Sequence, residues 1–210
     1  MNLLAIDTTT DLCALAVYRQ ERWFEHNRFA PRLHNQHVLP MVDSILDAAG
    51  IAALDLDLIA FGAGPGSFTG VRIGAAVSQG IALASEAMVV PVANSAVAAE
   101  ALRRIGGLRG EVEIVRASRP GWRYRARYEL DDTGVHCVDF DRLVATSEVG
   151  DNALDADRLS VSARLVGALA LHNLDDAVDP AFAQPYYVDG DSPWQPTAKG
   201  VAAQPQGSNR

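Results

Sequence analysis

Leu58-Ile59-Ala60-Phe61-Gly62, Ala63, and then Gly64-Pro65-Gly66-Ser67-Phe68-Thr69-Gly70 is the stretch that decides the fold. A short, almost wholly apolar run reads as a buried strand, and the glycines and proline end it. From about Val71 to Ser85 small residues dominate: Gly74, Ala75, Ala76, Ser78, Gly80, Ala82 and Ala84. A strand, a glycine-rich bend and a helix in that order belong to an α/β layer. Glycine inside a helix costs about 1 kcal/mol relative to alanine. Gly74 and Gly80 are therefore expected where another backbone comes close. The bend itself has two readings. Its glycines and the unpaired N–H groups of the following helix could cradle an anion, or they could make a structural turn beneath a close-packed helix. A phosphate loop of the Walker type needs Lys and then Ser or Thr after its last glycine; Val71 and Arg72 stand there instead.

Working outward, residues 3–6 and 12–18 are apolar and flank the polar turn Asp7-Thr8-Thr9-Thr10-Asp11, which predicts a hairpin whose first strand is central in a sheet. A third strand is expected from Arg22 to Arg28. After Pro31 a helix carries Val38, Val42, Ile45 and Ala49 at helical spacing, with Leu39 and Leu46 beside them, and stops at Gly50. Pro40 is expected near its beginning, where a missing N–H costs little. Residues 88–92 read as a strand and 95–104 as a helix ending at Gly106-Gly107. The order β-β-β-α-β-α-β-α describes a mixed sheet covered by helices. The turn at Asp7-Thr8-Thr9-Thr10 takes the place of the phosphate-binding hairpin of actin-like and sugar-kinase-like ATPases. Asp7, Thr8, Gly64, Gly66 and Ser67 are accordingly the candidates for nucleotide contact, against the alternative of a capped polar turn.

Beyond a boundary near residue 106 the pattern is looser. Strands are expected over 111–116, 122–130 and 135–138. In the second, Trp122, Tyr124, Ala126, Tyr128 and Leu130 alternate with Arg123, Arg125, Arg127 and Glu129, so one face should be packed and the other wet. A helix from Asp157 to about Leu174 would bury Val161, Leu165, Ala168, Leu169 and His172. From Asp189 onward Gly, Pro, Gln, Ser and Asn take over, and a mobile tail is expected. The organisation expected is thus a 1–106 lobe, a smaller 107–188 lobe and a 189–210 tail.

The 210 residues include 18 basic and 26 acidic side chains, a formal net charge of -8. That balance excludes a general nucleic-acid coat. Arg116, Arg119, Arg123, Arg125 and Arg127, with Trp122 and Tyr124, form a local exception that suits a solvent face, a protein contact or RNA phosphate. Cys13 and Cys137 match no metal or redox spacing and read as free thiols in a reducing compartment. The N-terminus lacks a basic n-region and reads as a first strand, and no apolar run approaches the ~20 residues that span a bilayer. A cytoplasmic protein is expected. His34 and His37 lie three apart, but a metal site generally takes a third protein ligand and none is evident, so no metal and no cofactor are expected. No nucleophile–base–acid set is readable either: Ser67 lacks the following glycine of a nucleophile elbow. The residues favour a binding or scaffold protein over an enzyme.

Three blocks together, Leu4-Ala5-Ile6-Asp7-Thr8-Thr9-Thr10, His37-Val38-Leu39-Pro40-Met41-Val42 and the run from Gly62 through Gly74, resemble the bacterial TsaB (YeaZ) family. The likeness is close over residues 3–100, weakens thereafter and returns faintly at Gln184-Pro185-Tyr186-Tyr187-Val188. It implies an actin-like, sugar-kinase-like (ASKHA) fold with two lobes, the second truncated. It also implies a non-catalytic role in forming threonylcarbamoyladenosine on tRNA, with the chemistry in a paralogous TsaD-like transferase and a small TsaE-like ATPase joining the pair. TsaB proteins pair with TsaD, and with themselves when alone, through the first two helices. The implied contact surface is Leu39, Val42, Ile45 and Leu46 on the first helix, with Arg72, Ala75, Ala76, Gln79, Gly80 and Leu83 on the second. The alternative is a nucleotide-dependent kinase or hydrolase of the same superfamily. One stretch departs from the family: Ala117 and Trp122 stand where relatives carry acids, and Asp189 where many carry arginine.

Overall fold

The computed structural model describes residues 1–159 and 162–188. The first sheet contains β1 (Leu3–Asp7), β2 (Leu12–Arg19), β3 (Arg22–Phe29), β4 (Leu58–Gly64) and β5 (Met88–Ala93) in the order β3-β2-β1-β4-β5. The three N-terminal strands pair antiparallel, while β4 runs parallel to β1 and β5 parallel to β4. Alternation along β1 explains why residues 3–6 are all apolar. Leu4 and Ile6 face a core shared with helix α1 (His34–Ala49) and helix α2 (Phe68–Ser85), whereas Leu3 and Ala5 face helix α3 (Asn94–Arg104) and helix α4 (Ala163–His172). Covered on both faces, residues 3–6 leave no position for a polar side chain, and the buried Asp7 that ends the strand is satisfied by hydrogen bonds.

The second sheet contains β6 (Gly110–Ala117), β7 (Trp122–Leu130), β8 (Val135–Ala145) and the two-residue β9 (Leu154–Asp155), in the order β8-β7-β6-β9. Helix α3 lies between the two sheets. Its Val97 and Ala101 pack on the first, and its Ala98 and Ala99 pack on Val112, Ile114, Ala126 and Tyr128 of the second. Glu100, on the same helix and buried, is held by Arg103 and Arg104; burial would raise its pKa, but the two guanidinium hydrogen bonds outweigh that and hold the carboxyl below its ordinary value. None of the helices among the described residues is long and apolar enough to cross a membrane.

The α/β architecture follows the sequence expectation, with several corrections. Strand β8 extends to Ala145, well past the expected residue 138. Pro40 stands seven residues into α1 rather than near its beginning, so no proline N–H meets the Gln36 carbonyl. Asp157 does not start a helix: it sits in a short 3-10 turn and accepts a hydrogen bond from the Ala117 N–H at 2.8 Å. The helix begins at Ala163; Leu165, Ala168 and Leu169 are buried as expected, His172 is exposed, and Val161 lies outside the described residues, as does the whole tail expected to be mobile. Trp122, expected on the packed face of β7, is instead exposed at the strand end with the Arg119 guanidinium 5.2 Å from its ring.

Although α4 follows the second sheet in the chain, it returns to cover the first. Its Gly167 permits this closeness, since a Cβ there would lie 2.7 Å from the Trp23 ring and 3.0 Å from Leu3. Gly167→Leu is therefore expected to lower the free energy of unfolding by about 3 kcal/mol, measured by urea denaturation. A loss near zero would mean that α4 packs more loosely than the contact with Trp23 requires.

Candidate functional site

The turn between β1 and β2 and the glycine loop after β4 meet directly. Asp7 accepts from the Thr9 backbone N–H at 2.8 Å and from the Thr9 hydroxyl at 2.6 Å. Asn94, at the start of α3, completes the set: its Nδ2 donates to Thr9 Oγ1 at 2.7 Å and its Oδ1 accepts from Gly64 N–H at 2.7 Å. Thr8 donates its hydroxyl to the Gly70 carbonyl at 2.7 Å, and the Ser67 N–H donates to the Thr9 carbonyl at 2.8 Å. Ser67 also caps α2, accepting the Gly70 N–H at 3.2 Å. Asp7, Thr8 and Thr9 are buried.

The fit explains the glycines one by one. A Cβ at Gly70 would lie 2.0 Å from the Thr8 carbonyl oxygen, and one at Gly66 would lie 2.8 Å from Thr9. Gly74 faces the same turn, with a Cβ placed 3.0 Å from Thr8 Oγ1. Its neighbour is thus the chain's own β1–β2 turn, whereas Gly80 has open space around it. All five nucleotide candidates, Asp7, Thr8, Gly64, Gly66 and Ser67, belong to one assembly, and its polar groups are largely spent on each other. The place where a hairpin would cradle phosphate is filled by the chain's own loop. A cleft of about 640 Å³ remains beside it, bordered by Thr10, Asp11, Phe29, Ser67 and Asp157.

Arg116 bridges this assembly to the second sheet. Buried, it donates to the Pro65 carbonyl at 3.0 Å and pairs with Asp157 at 3.3 Å. Arginine stripe and bridge are therefore different things. On the outer face of β7, Arg127 pairs with Glu111 at 2.9 Å and Asp139 at 2.7 Å, Arg123 pairs with Asp155 at 3.4 Å, and Arg125 donates to the Glu148 carbonyl. The charges of Arg123 and Arg127 are answered by carboxylates from other strands, which weakens the reading of the stripe as a phosphate surface. His34 is buried at the start of α1 and His37 half-buried; among the described residues no three His, Cys, Asp or Glu side chains gather as a metal site would require.

A second polar group between the sheets was not visible in the sequence. Ser95 Oγ donates to Asp141 at 2.5 Å and meets the Tyr128 hydroxyl at 2.7 Å, so the tyrosine donates to the serine. Burial pushes the Asp141 carboxyl up to about 6, against the lowering pull of the Ser95 hydroxyl and the Arg116 charge; burial also raises the Tyr128 phenol and the nearby Cys137 thiol. Only its partners, brought from α3 and β7, reveal Asp141; its neighbours along β8 carry no signal.

The expected contact residues divide sharply. Val42, Ile45, Leu46 and Ala75 are buried in the core beneath α1 and α2, so they cannot meet another chain; the helical period allowed either face to point inward, and the sheet took this one. Leu39, 54% exposed, lies on the outer face of α1, and Ala76, Gly80 and the 66% exposed Leu83 lie on that of α2. Arg72 stacks over Phe68 at 3.4 Å with Tyr187 5.0 Å away, and Gln79 donates to the Pro180 carbonyl at 3.1 Å, so both flank that face.

Residues 26–109 match the family model described as TsaD, tRNA N6-adenosine threonylcarbamoyltransferase. The chain is 38% identical over 135 residues to the tRNA threonylcarbamoyladenosine biosynthesis protein TsaB of Escherichia coli (strain K12), covering 64% of this chain and 58% of that protein. It is 44% identical over 102 residues to the TsaB of Haemophilus influenzae, covering 48% of this chain and 43% of that protein. The matched stretches thus span about half the length of these curated relatives. Among solved structures, YeaZ from Pseudomonas aeruginosa is 31% identical with a TM-score of 0.80, covering 89% of this chain and 100% of that one.

Two measurements probe the site. Gly70→Ala is expected to destabilise the chain by about 3 kcal/mol or more, because the Thr8 carbonyl cannot retreat without breaking the turn; a melting temperature unchanged from the parent would deny the contact. Asp141 has a folded pKa above its unfolded value, so its contribution to stability is whole below the ordinary aspartate range and is lost as pH rises through about 6. Unfolding followed at pH steps across that window should lose less stability in Asp141→Asn than in the parent.

Proposed function

This chain belongs to the TsaB (YeaZ) family, and we propose that it acts as a non-catalytic subunit required for threonylcarbamoyladenosine formation on tRNA, binding and activating a TsaD-like transferase. The carrying observation is the closure of the glycine loop onto the β1–β2 turn. In a nucleotide-dependent kinase of the same architecture those backbone groups would have to face phosphate. Here the Thr9 and Gly64 N–H groups are taken by Asp7 and Asn94, the Gly70 N–H by the Ser67 hydroxyl and the Ser67 N–H by the Thr9 carbonyl, which leaves fewer amides for phosphate and favours the non-catalytic reading over a kinase or hydrolase.

The partner and the contact face are argued from likeness and exposure. The stretch similar to the TsaD model, residues 26–109, contains both α1 and α2. A TsaD-like partner would present the same two helices, and like surfaces pair about a pseudo-two-fold axis without needing a second kind of patch. The proposed contact face is Leu39, Arg72, Ala76, Gln79, Gly80 and Leu83. Small residues at Ala76 and Gly80 let a facing helix approach, while the leucines supply apolar area to offset the cost of association. The same face would serve a homodimer of the free chain. A TsaE-like ATPase would dock across the junction, tRNA would be met mainly through the complex, and the setting is cytoplasmic.

The test is Gly80→Arg. The position is exposed with nothing near its Cβ, so the variant should fold with a melting temperature at or slightly above that of the parent. Co-expressed with the TsaD-like paralogue, it should no longer co-elute on size exclusion, and tRNA modification by the reconstituted set should fall to the level without this subunit. Normal co-elution would refute the assigned face.

A further inference from the structure

A second cavity, of about 350 Å³, shares no lining residue with the cleft beside the glycine loop. It opens where the two sheets meet, walled by Val92 of β5, Val135 of β8 and Leu169 of α4. Phe140, Tyr186 and Tyr187 add aromatic surface, and Asp141 and Asp176 add carboxylates. No Lys, Arg or His is among the described residues that line it. A pocket of this size with apolar walls and a few fixed polar groups has the usual make-up of a small-molecule site.

We infer that this cavity binds a small organic cation: an ammonium or guanidinium group carried on an apolar body. Charge selects the sign, because two carboxylates face the space and no cation lines it among the described residues, the Arg116 charge that acts on Asp141 lying outside this lining. Geometry fixes the position. Ser95, itself held by Tyr128, anchors one oxygen of Asp141, so the carboxylate is oriented before any ligand arrives. The aromatic wall is also rigid at one point: Tyr186 donates its N–H to the Ala63 carbonyl at 2.8 Å and its hydroxyl to the Pro91 carbonyl at 3.0 Å. Ring faces attract cations, and Val92, Val135 and Leu169 would bury the apolar body. At neutral pH the Asp141 carboxyl is ionised, since its pKa is raised only to about 6. The inference is independent of the proposed partner contact, which uses the outer face of α1 and α2.

The experiment is methyl-detected NMR on the full chain at neutral pH, titrated separately with phenethylamine, 2-phenylethanol and 3-phenylpropionate. The amine should shift the methyls of Val92, Val135 and Leu169 with an affinity about tenfold above that of the alcohol, the worth of one charge-assisted hydrogen bond, and the carboxylate should be weakest. Asp141→Asn should bring the amine down to the level of the alcohol. Ala96→Phe, which projects a ring into the cavity from α3, should remove the shifts for all three. Equal binding of the three probes, no saturable shift at these methyls with the amine, an unchanged preference in Asp141→Asn, or persistent shifts in Ala96→Phe would each overturn the assignment. Because the two variants act by different means, failure of one to fold leaves the other decisive.

Discussion

Backbone lies on backbone where Gly70 passes the Thr8 carbonyl, and the rest of the structure is arranged around that contact. An added methyl would stand 2.0 Å from the carbonyl oxygen, so the two segments can touch only while residue 70 has no side chain. The contact joins the first turn of the first sheet to the first turn of α2. It sets where α2 crosses β4, and with it which helical face is buried and which is left to solvent. Asn94 extends the same network to α3, and Arg116 extends it to the second sheet. One small junction thereby locks both sheets and the helix between them.

That junction also orders the functional alternatives. A phosphate-binding hairpin and loop must leave amides facing outward; a pair that bonds inward becomes a rigid joint. A rigid joint holds the outer face of α2 in one geometry, and a preformed face loses less entropy when a partner arrives. The two sides of α2 differ in what they meet. Its inner glycine, Gly74, meets the chain's own turn, while its outer glycine, Gly80, meets nothing. Two residues of one type on one helix thus have different causes.

Much of the architecture was legible because period and burial coincide. The apolar runs at 3–6 and 58–62, the helical spacing of Val38, Val42, Ile45 and Ala49, and the period of two in β7 each bury what their pattern implies. The failures are equally specific. Trp122 keeps the period of β7 but loses its cover at the strand end, and His172 falls beyond the last buried turn of α4. The arginine stripe could not be weighed from one strand, because its neutralising acids, Glu111, Asp139 and Asp155, come from β6, β8 and β9.

By itself the sequence determined the layer type, the position of the glycine loop between a strand and a helix, and the family blocks that carry the functional expectation. These depend on local order and spacing, which a chain displays before it folds. Tertiary structure alone decided that α4 returns to the first sheet, that Val42, Ile45, Leu46 and Ala75 turn inward, and that Asp141 meets Ser95 and Tyr128. Each of those joins residues far apart in the chain, and a helical or strand period states that one face is buried without stating what lies against it.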